Sequence, residues 1–181
     1  VDATFHDSHE LSTQEIIDKI AQHAPGVFFS GDAQKLQSSY EALIAAYQSH
    51  ASMLRQIQQP IAQWSRETVT AWAKAVKQHY HQAGPSKLIP QGELLAVMKR
   101  AVELQHGFSP RATQLLSVLA LLNTPENMGR LAQINTGEGK SLIVAMLAAL
   151  HALQGQKVDV LTTSTELSIP EVKNQRPLFE M

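Results

Sequence analysis

The 181-residue chain contains no cysteine, which excludes disulfides, thiolate nucleophiles and thiolate metal sites. It also lacks an excess of charge of either sign. Fifteen Lys and Arg stand against sixteen Asp and Glu, for a formal net charge of −1. That balance gives no chain-wide attraction to nucleic acid or anionic membranes, and the only adjacent cationic pair is Lys99-Arg100. No apolar run approaches the roughly 20 residues of a membrane span. The opening Val1-Asp2-Ala3-Thr4-Phe5-His6 has no cationic stretch leading into an apolar one, so no secretory signal is legible. These absences fit a cytoplasmic origin, and a start at valine reads as a piece of a longer protein. The 44% apolar content is enough to build a core.

The first 107 residues read as helix. Ser12-Thr13-Gln14-Glu15 is a capping box, with Leu11 and Ile16 placed for a hydrophobic staple. This helix is expected to stop near Ala24, before Pro25-Gly26. Asp32 can cap a longer helix running towards Gln59. Its stripe Leu36, Tyr40, Leu43, Tyr47, His50, Leu54 and Ile57 is an a/d seam, with His50 read as a packed, hydrogen-bonded member. Pro60 opens a new helix or kinks the old one. Beyond it the stripe Ile61, Trp64, Val69, Trp72, Val76 and Tyr80 runs to Gly84-Pro85. The two helices predict an antiparallel hairpin with the tryptophans on the seam. A fourth helix starts near Pro90 and ends at Gly107. Ser109-Pro110 then caps a fifth, whose leucines cover most of its faces and make it central.

After Asn123 the pattern changes. Residues 130–135 and 157–163 read as strands, the second rich in β-branched residues. Between them lie a glycine turn and an apolar helix, Lys140 to Leu153. Strand, turn, helix and strand make a βαβ unit with parallel strands. A two-stranded parallel sheet is too small to stand without helices on both faces. Either the P-loop is misformed in this chain, or the helix after the glycine turn packs on the bundle instead.

The chemistry lies in Asn135-Thr136-Gly137-Glu138-Gly139-Lys140-Ser141. Glycines let several backbone N–H groups turn inward at a phosphate, and the following helix adds the positive end of its dipole. Lys140 can reach the β- and γ-phosphates, and the Ser141 hydroxyl can ligate Mg²⁺. Gly-x-Gly-Lys-Ser/Thr arises by chance in roughly 1% or less of chains this long, which favours a phosphate loop over a mere glycine turn. Ile134 stands where the full P-loop pattern has glycine.

Leu131 to Ser141, continued through Ala149–Gly155 and Asn174–Glu180, resembles the first nucleotide motif of the SecA family of preprotein translocase motors. The likeness reaches back to Leu88-Ile89-Pro90 and includes Gly107 and Gln114. The family usually has an aromatic where Arg111 stands, and an Arg-Asp pair where this chain has Pro170-Glu171. The resemblance implies an ATP and Mg²⁺ site in which Gln114 reads the adenine edge and Phe108 packs on the ring. Thr136, Gly137, Glu138, Gly139, Lys140 and Ser141 would hold the phosphates, and Ser141 the metal. It also implies a polypeptide substrate or protein partner, no nucleic acid, and peripheral membrane association of the parent.

The expected fold is therefore mainly α. A helical domain over residues 1–86, with its long hairpin, precedes an incomplete P-loop α/β (RecA-like) unit over 87–181. The expected function is the N-terminal part of a SecA-like ATP-binding motor. The chain stops before an acidic Mg²⁺-holding motif and before a second lobe, and Asp159, Glu166 and Glu171 stand in the wrong context. Hydrolysis needs such a carboxylate, so the fragment itself is not expected to turn over ATP. The alternative is a helical protein-interaction module with a vestigial nucleotide site, which an exposed Trp64-Trp72 pair would favour. His79 and His81 diverge by about 200° on a helix and are poorly placed to share a metal.

Overall fold

The computed structural model describes residues 12–23, 32–53, 56–83, 89–123, 129, 131–162 and 165–181. Among these the regular structure is seven α-helices and one 3₁₀ turn, with no strand. Helix α1, Thr13–His23, opens on the expected capping box. Ser12 N–H donates to Glu15 Oε2 at 2.7 Å, and Glu15 N–H donates to Ser12 Oγ at 3.3 Å. Leu11 and Pro25-Gly26, on which the staple and the stop were to rest, lie outside the described residues.

Helix α2 runs Asp32–Tyr47 and ends well short of Gln59. The seam is helical only through Tyr47. His50 is exposed in an irregular segment, which corrects its reading as a packed seam member, and Leu54 is outside the described residues. The physical reason is a competing acceptor. The buried carboxylate of Glu93 takes the N–H of Ser52 at 2.8 Å, its hydroxyl at 2.6 Å and the N–H of Met53 at 3.5 Å. An ionised oxygen is a stronger acceptor than a helical carbonyl. The chain then meets Pro60, which caps the 3₁₀ turn Ile61–Gln63. Helix α3, Arg66–Ala83, follows, its first turn capped by Ser65 Oγ accepting from Thr68 N–H at 3.3 Å.

The expected hairpin is not formed. Helix α4, Gln91–His106, receives α2 along its length and also contacts α3, while α2 and α3 have no substantial contact with each other. The α2–α4 crossing is close: a Cβ on Gly92 would stand 2.9 Å from the Ala42 carbonyl oxygen. Both tryptophans are buried as expected, but against α4 and not on a seam. Trp72 Nε1 donates to Glu93 Oε1 at 2.9 Å, and Trp64 Nε1 to the Gln59 carbonyl at 3.1 Å. Gly107, at φ +73°, ends α4 in the left-handed turn that glycine tolerates.

Helix α5 is Ala112–Leu122, two residues later than Ser109-Pro110 predicts, with Arg111 at its cap. It packs on α1, α2 and helix α6, Lys140–Leu153, and buries Leu115, Leu116, Val118 and Leu119. Helix α7, Thr165–Phe179, packs on α4 and α6 and carries Pro170 and Pro177 within it. The two predicted strands correct to irregular chain. Within 131–135 and 157–162 no residue pairs in a ladder, and Leu131 and Leu161 are almost wholly exposed. Two lone parallel strands gain too few bonds to offset their ordering. Helix α6 instead packs its apolar face on α3, α4 and α5. One continuous core results, from Ile16 and Ile17 in α1 to Leu178 in α7.

Candidate functional site

The glycine loop is built from the end of the irregular segment 131–135 and the start of α6. Gly137 and Gly139 have φ of +90° and +76°, conformations that any Cβ would strain. Glu138 N–H closes a turn onto the Asn135 carbonyl at 3.3 Å. The Gly139 carbonyl then accepts from Leu142 and Ile143 at 3.1 and 3.3 Å and starts the helix. Among the described residues the N–H groups of Gly137, Gly139, Lys140 and Ser141 have no acceptor. These are orphan donors of a helix start, on the positive end of its dipole.

The side chains fit an anion at the same place. Thr136, Lys140 and Ser141 are exposed. Lys140 Nζ donates to the Ile134 carbonyl at 3.2 Å, and an ammonium has three donors, so two stay open to solvent. The Ser141 hydroxyl is exposed beside it. Glu138 is turned aside, its carboxylate 3.8 Å from the Arg111 guanidinium. A triphosphate with its Mg²⁺ thus suits the donors present, with Lys140 and the four N–H groups for phosphate oxygens and Ser141 for the cation.

Gln114 is brought against this loop by α5. Its side chain is buried, and its Nε2 donates to the Glu138 carbonyl at 3.1 Å. Its Oε1 accepts from Arg111 N–H at 3.0 Å, the N3-to-cap half of a capping box. A Cβ on Gly139 would collide with Gln114 Nε2 and displace the carboxamide from its bond to Glu138. The carboxamide keeps one N–H and one lone pair beyond these bonds, the pair that bidentate contact with an adenine edge uses.

Phe108 lies in the link between α4 and α5, half-exposed. One ring face stacks on His106, with centroids 5.4 Å apart and planes 30° from parallel. The root of this link is fixed by a polar cluster that sequence reasoning did not find. Lys99 Nζ donates to Ser109 Oγ at 2.6 Å and pairs with Glu103 one turn along α4. It also lies 4.1 Å from the centroid of the Tyr47 ring. Tyr47 donates its hydroxyl to Glu103 at 2.5 Å. Burial, then the bond and charge of Glu103, push the Tyr47 phenol up to about 12. Burial works to raise Glu103, but the bonds from Lys99 and Tyr47 outweigh it and hold the carboxyl below its ordinary value. These residues are spread over α2, α4 and the link, and no spacing rule connects them.

Elsewhere the chemistry is sparse. His79 is half-buried edge-on to Tyr80, and His81 is exposed. Among the described residues no group of three or more His, Asp or Glu could hold a metal, and no helix is long and apolar enough to cross a membrane. Trp64 and Trp72 are buried, so they form no exposed pair for a partner.

The model of the SecA DEAD-like domain matches residues 33–181, beginning well before residue 88, where the recognisable motif likeness starts. A protein translocase subunit SecA 2 of Thermobifida fusca is 37% identical over 89 residues, 49% of this chain and 11% of that protein. The protein translocase subunit SecA of Acinetobacter baylyi is 31% identical over 121 residues, 66% of this chain and 13% of its own length. A SecA of Acinetobacter baumannii matches with the same identity and coverage. The chain thus spans about an eighth of the length of these relatives. No solved structure matches.

Proposed function

The chain belongs to the SecA DEAD-like family, and from that premise we propose that it is the ATP-binding part of a protein translocase motor. The observation that carries this reading is the loop Thr136–Ser141, where two left-handed glycines, four unpartnered N–H groups and Lys140 meet at the start of α6. Gln114 and Phe108 stand on its base side, and Ser141 is the Mg²⁺ ligand. Bound Mg²⁺ would neutralise phosphate charge; the protein's part is to hold the triphosphate and orient the base.

In this reading the chain binds and does not hydrolyse. Turnover needs a carboxylate that holds Mg²⁺ and positions water, and Glu138, the carboxylate of the loop, is turned to Arg111. The nucleotide unit is taken to occupy 87–181, with the helical residues 1–86 packed on it through α4. In the whole protein, binding and release of ATP would move a polypeptide, in the cytoplasm with peripheral contact to the membrane.

The test is calorimetry of Mg-ATP with the wild type and Lys140→Ala. Binding that the substitution weakens by roughly tenfold or more, the range of a lost charge-assisted contact, supports the reading. Equal affinity in both would refute it, and absent binding would return the helical interaction module as the better account.

A further inference from the structure

We infer that Lys99 is a positioning residue for the base side of the nucleotide site, and that it acts by holding the link 107–111 through Ser109. The inference rests on the ATP-binding reading above and adds to it the residue that sets how the base is met. Three observations lead to it.

First, the link is anchored at its far end, where Pro110 is buried and Arg111 N–H donates to Gln114 Oε1, and is exposed over residues 107–109. Gly107 is left-handed and leaves α4, Phe108 and Ser109 are exposed, and α5 does not begin until Ala112. The Phe108 ring stacks on His106 and is 53% exposed. A ring so placed, three residues before the cap whose helix presents Gln114 to the phosphate loop, is a platform for a flat apolar ligand face. Its position is only as well defined as the backbone of residues 107–111.

Second, Lys99 ties that backbone to the rigid part of the molecule. Its Nζ donates to Ser109 Oγ at 2.6 Å. The side chain is only 12% exposed, sits over the Tyr47 ring and is paired with Glu103, which Tyr47 and Arg100 also contact. Arg100 in turn donates to the Trp64 carbonyl at 2.8 Å. A charged group with this many partners has little freedom, and a hydrogen bond from it fixes the hydroxyl it reaches.

Third, Lys99 does not serve the phosphates. It lies on α4, and its ammonium is engaged with Glu103 and Ser109 and not with the loop 136–141. Its effect must therefore reach a nucleotide through the base side alone, which separates it from Lys140.

That separation makes the test. Calorimetry would compare Mg-ATP with magnesium tripolyphosphate, which has the phosphates but no base. The variants are Ser109→Ala, Lys99→Met and Lys99→Arg, with Lys140→Ala beside them and melting temperatures recorded for all. Ser109 is exposed, so its alanine variant removes the anchor without disturbing the core. The expected result is an ATP affinity about three- to tenfold lower in Ser109→Ala and Lys99→Met, the equivalent of one lost hydrogen bond. Tripolyphosphate affinity stays within about twofold, and Lys99→Arg restores most of the ATP affinity, as expected when the base-side link alone is loosened. Lys140→Ala weakens both ligands.

The inference is overturned if Ser109→Ala leaves the ratio of ATP to tripolyphosphate affinity unchanged. It is also overturned if the two affinities fall together, or if wild-type protein binds the two ligands equally. In those cases weakening of both ligands by Lys140→Ala would leave the ATP-binding reading standing. A wild type that binds neither ligand removes both.

Discussion

Glu93 is the point at which the fold is most open to a decisive perturbation. It is 5% exposed, in the first turn of α4, and its two oxygens face four donors. Oε2 accepts from Ser52 N–H and Oγ at 2.8 and 2.6 Å, and Oε1 from Trp72 Nε1 at 2.9 Å and Met53 N–H at 3.5 Å. Glu93→Gln keeps the volume and replaces one oxygen with an NH₂ group. The Ser52 hydroxyl can reverse and accept from that group, so the favoured orientation turns the amide nitrogen towards Ser52 and keeps the oxygen on Trp72. Ser52 N–H then loses its acceptor, and the bonds that remain lose their charge assistance. Ser52 is exposed, so water compensates part of the loss.

The expected cost is about 1–3 kcal/mol, or roughly 2–12 °C in Tm for a domain of this size. Urea unfolding followed by circular dichroism at 222 nm measures it. Glu93→Ala, which strands the buried indole N–H as well, should cost more. A double-mutant cycle of Glu93→Ala with Trp72→Phe should give a coupling of about 1 kcal/mol or more. If Glu93→Gln unfolds within about 0.5 kcal/mol of wild type and the cycle shows no coupling above the usual error of about 0.5 kcal/mol, the carboxylate is not what holds Ser52 and Met53 to α4. Competition from Glu93 then does not account for the early end of α2.

Two further outcomes follow from the geometry. Gly92→Ala places a Cβ 2.9 Å from a backbone oxygen of α2 that cannot move aside alone, so it should destabilise by about 0–2 kcal/mol in a urea titration. That is an overpacking cost of about 1–3 kcal/mol less the better helix propensity of alanine; a gain in stability would show that the two helices are not in such close contact. Tyr47, raised to about 12, should give a late step in an absorbance titration at high pH. Because the folded pKa lies above the unfolded value of about 10, the stability it contributes is fully present below pH 10 and is lost as pH rises through 12. Tyr47→Phe should delete this late step, and Glu103→Gln should bring it down.

Much of this was legible from local rules. The capping box of α1, the apolar stripe of α3, the span of α4 and α6 and the burial of both tryptophans follow from caps, glycines and helical periodicity. The glycine loop was found by residue type and order, and its two left-handed glycines stand where that order requires them. What was not legible depended on partners distant in sequence. The seam of α2 continues past Tyr47 on paper, but Glu93, some forty residues later, competes for the backbone of Ser52 and Met53. Helix α7 is concealed by Pro170 and Pro177, which argue against helix when judged singly.

The failure of the predicted strands has the same origin and bears on function. Residues 131–135 and 157–162 have the composition of strands, but a parallel strand is stable only between neighbours. Without a ladder, Leu131, Val160 and Leu161 remain exposed, while α6 still buries its apolar face on the bundle. Among the described residues the glycine loop is therefore positioned by α6 and by the Gln114 carboxamide, and not by a sheet beneath it. That makes Gln114 a support of the loop as well as a group with capacity left for a base. In the proposed ATP-binding reading, the contact between Gln114 and Glu138 joins the base side to the phosphate side directly, so ordering on one would be transmitted to the other through one side chain. A loop held this way should respond to the Lys99–Ser109 anchor in its base contacts first, which is the distinction that comparing ATP with tripolyphosphate reads.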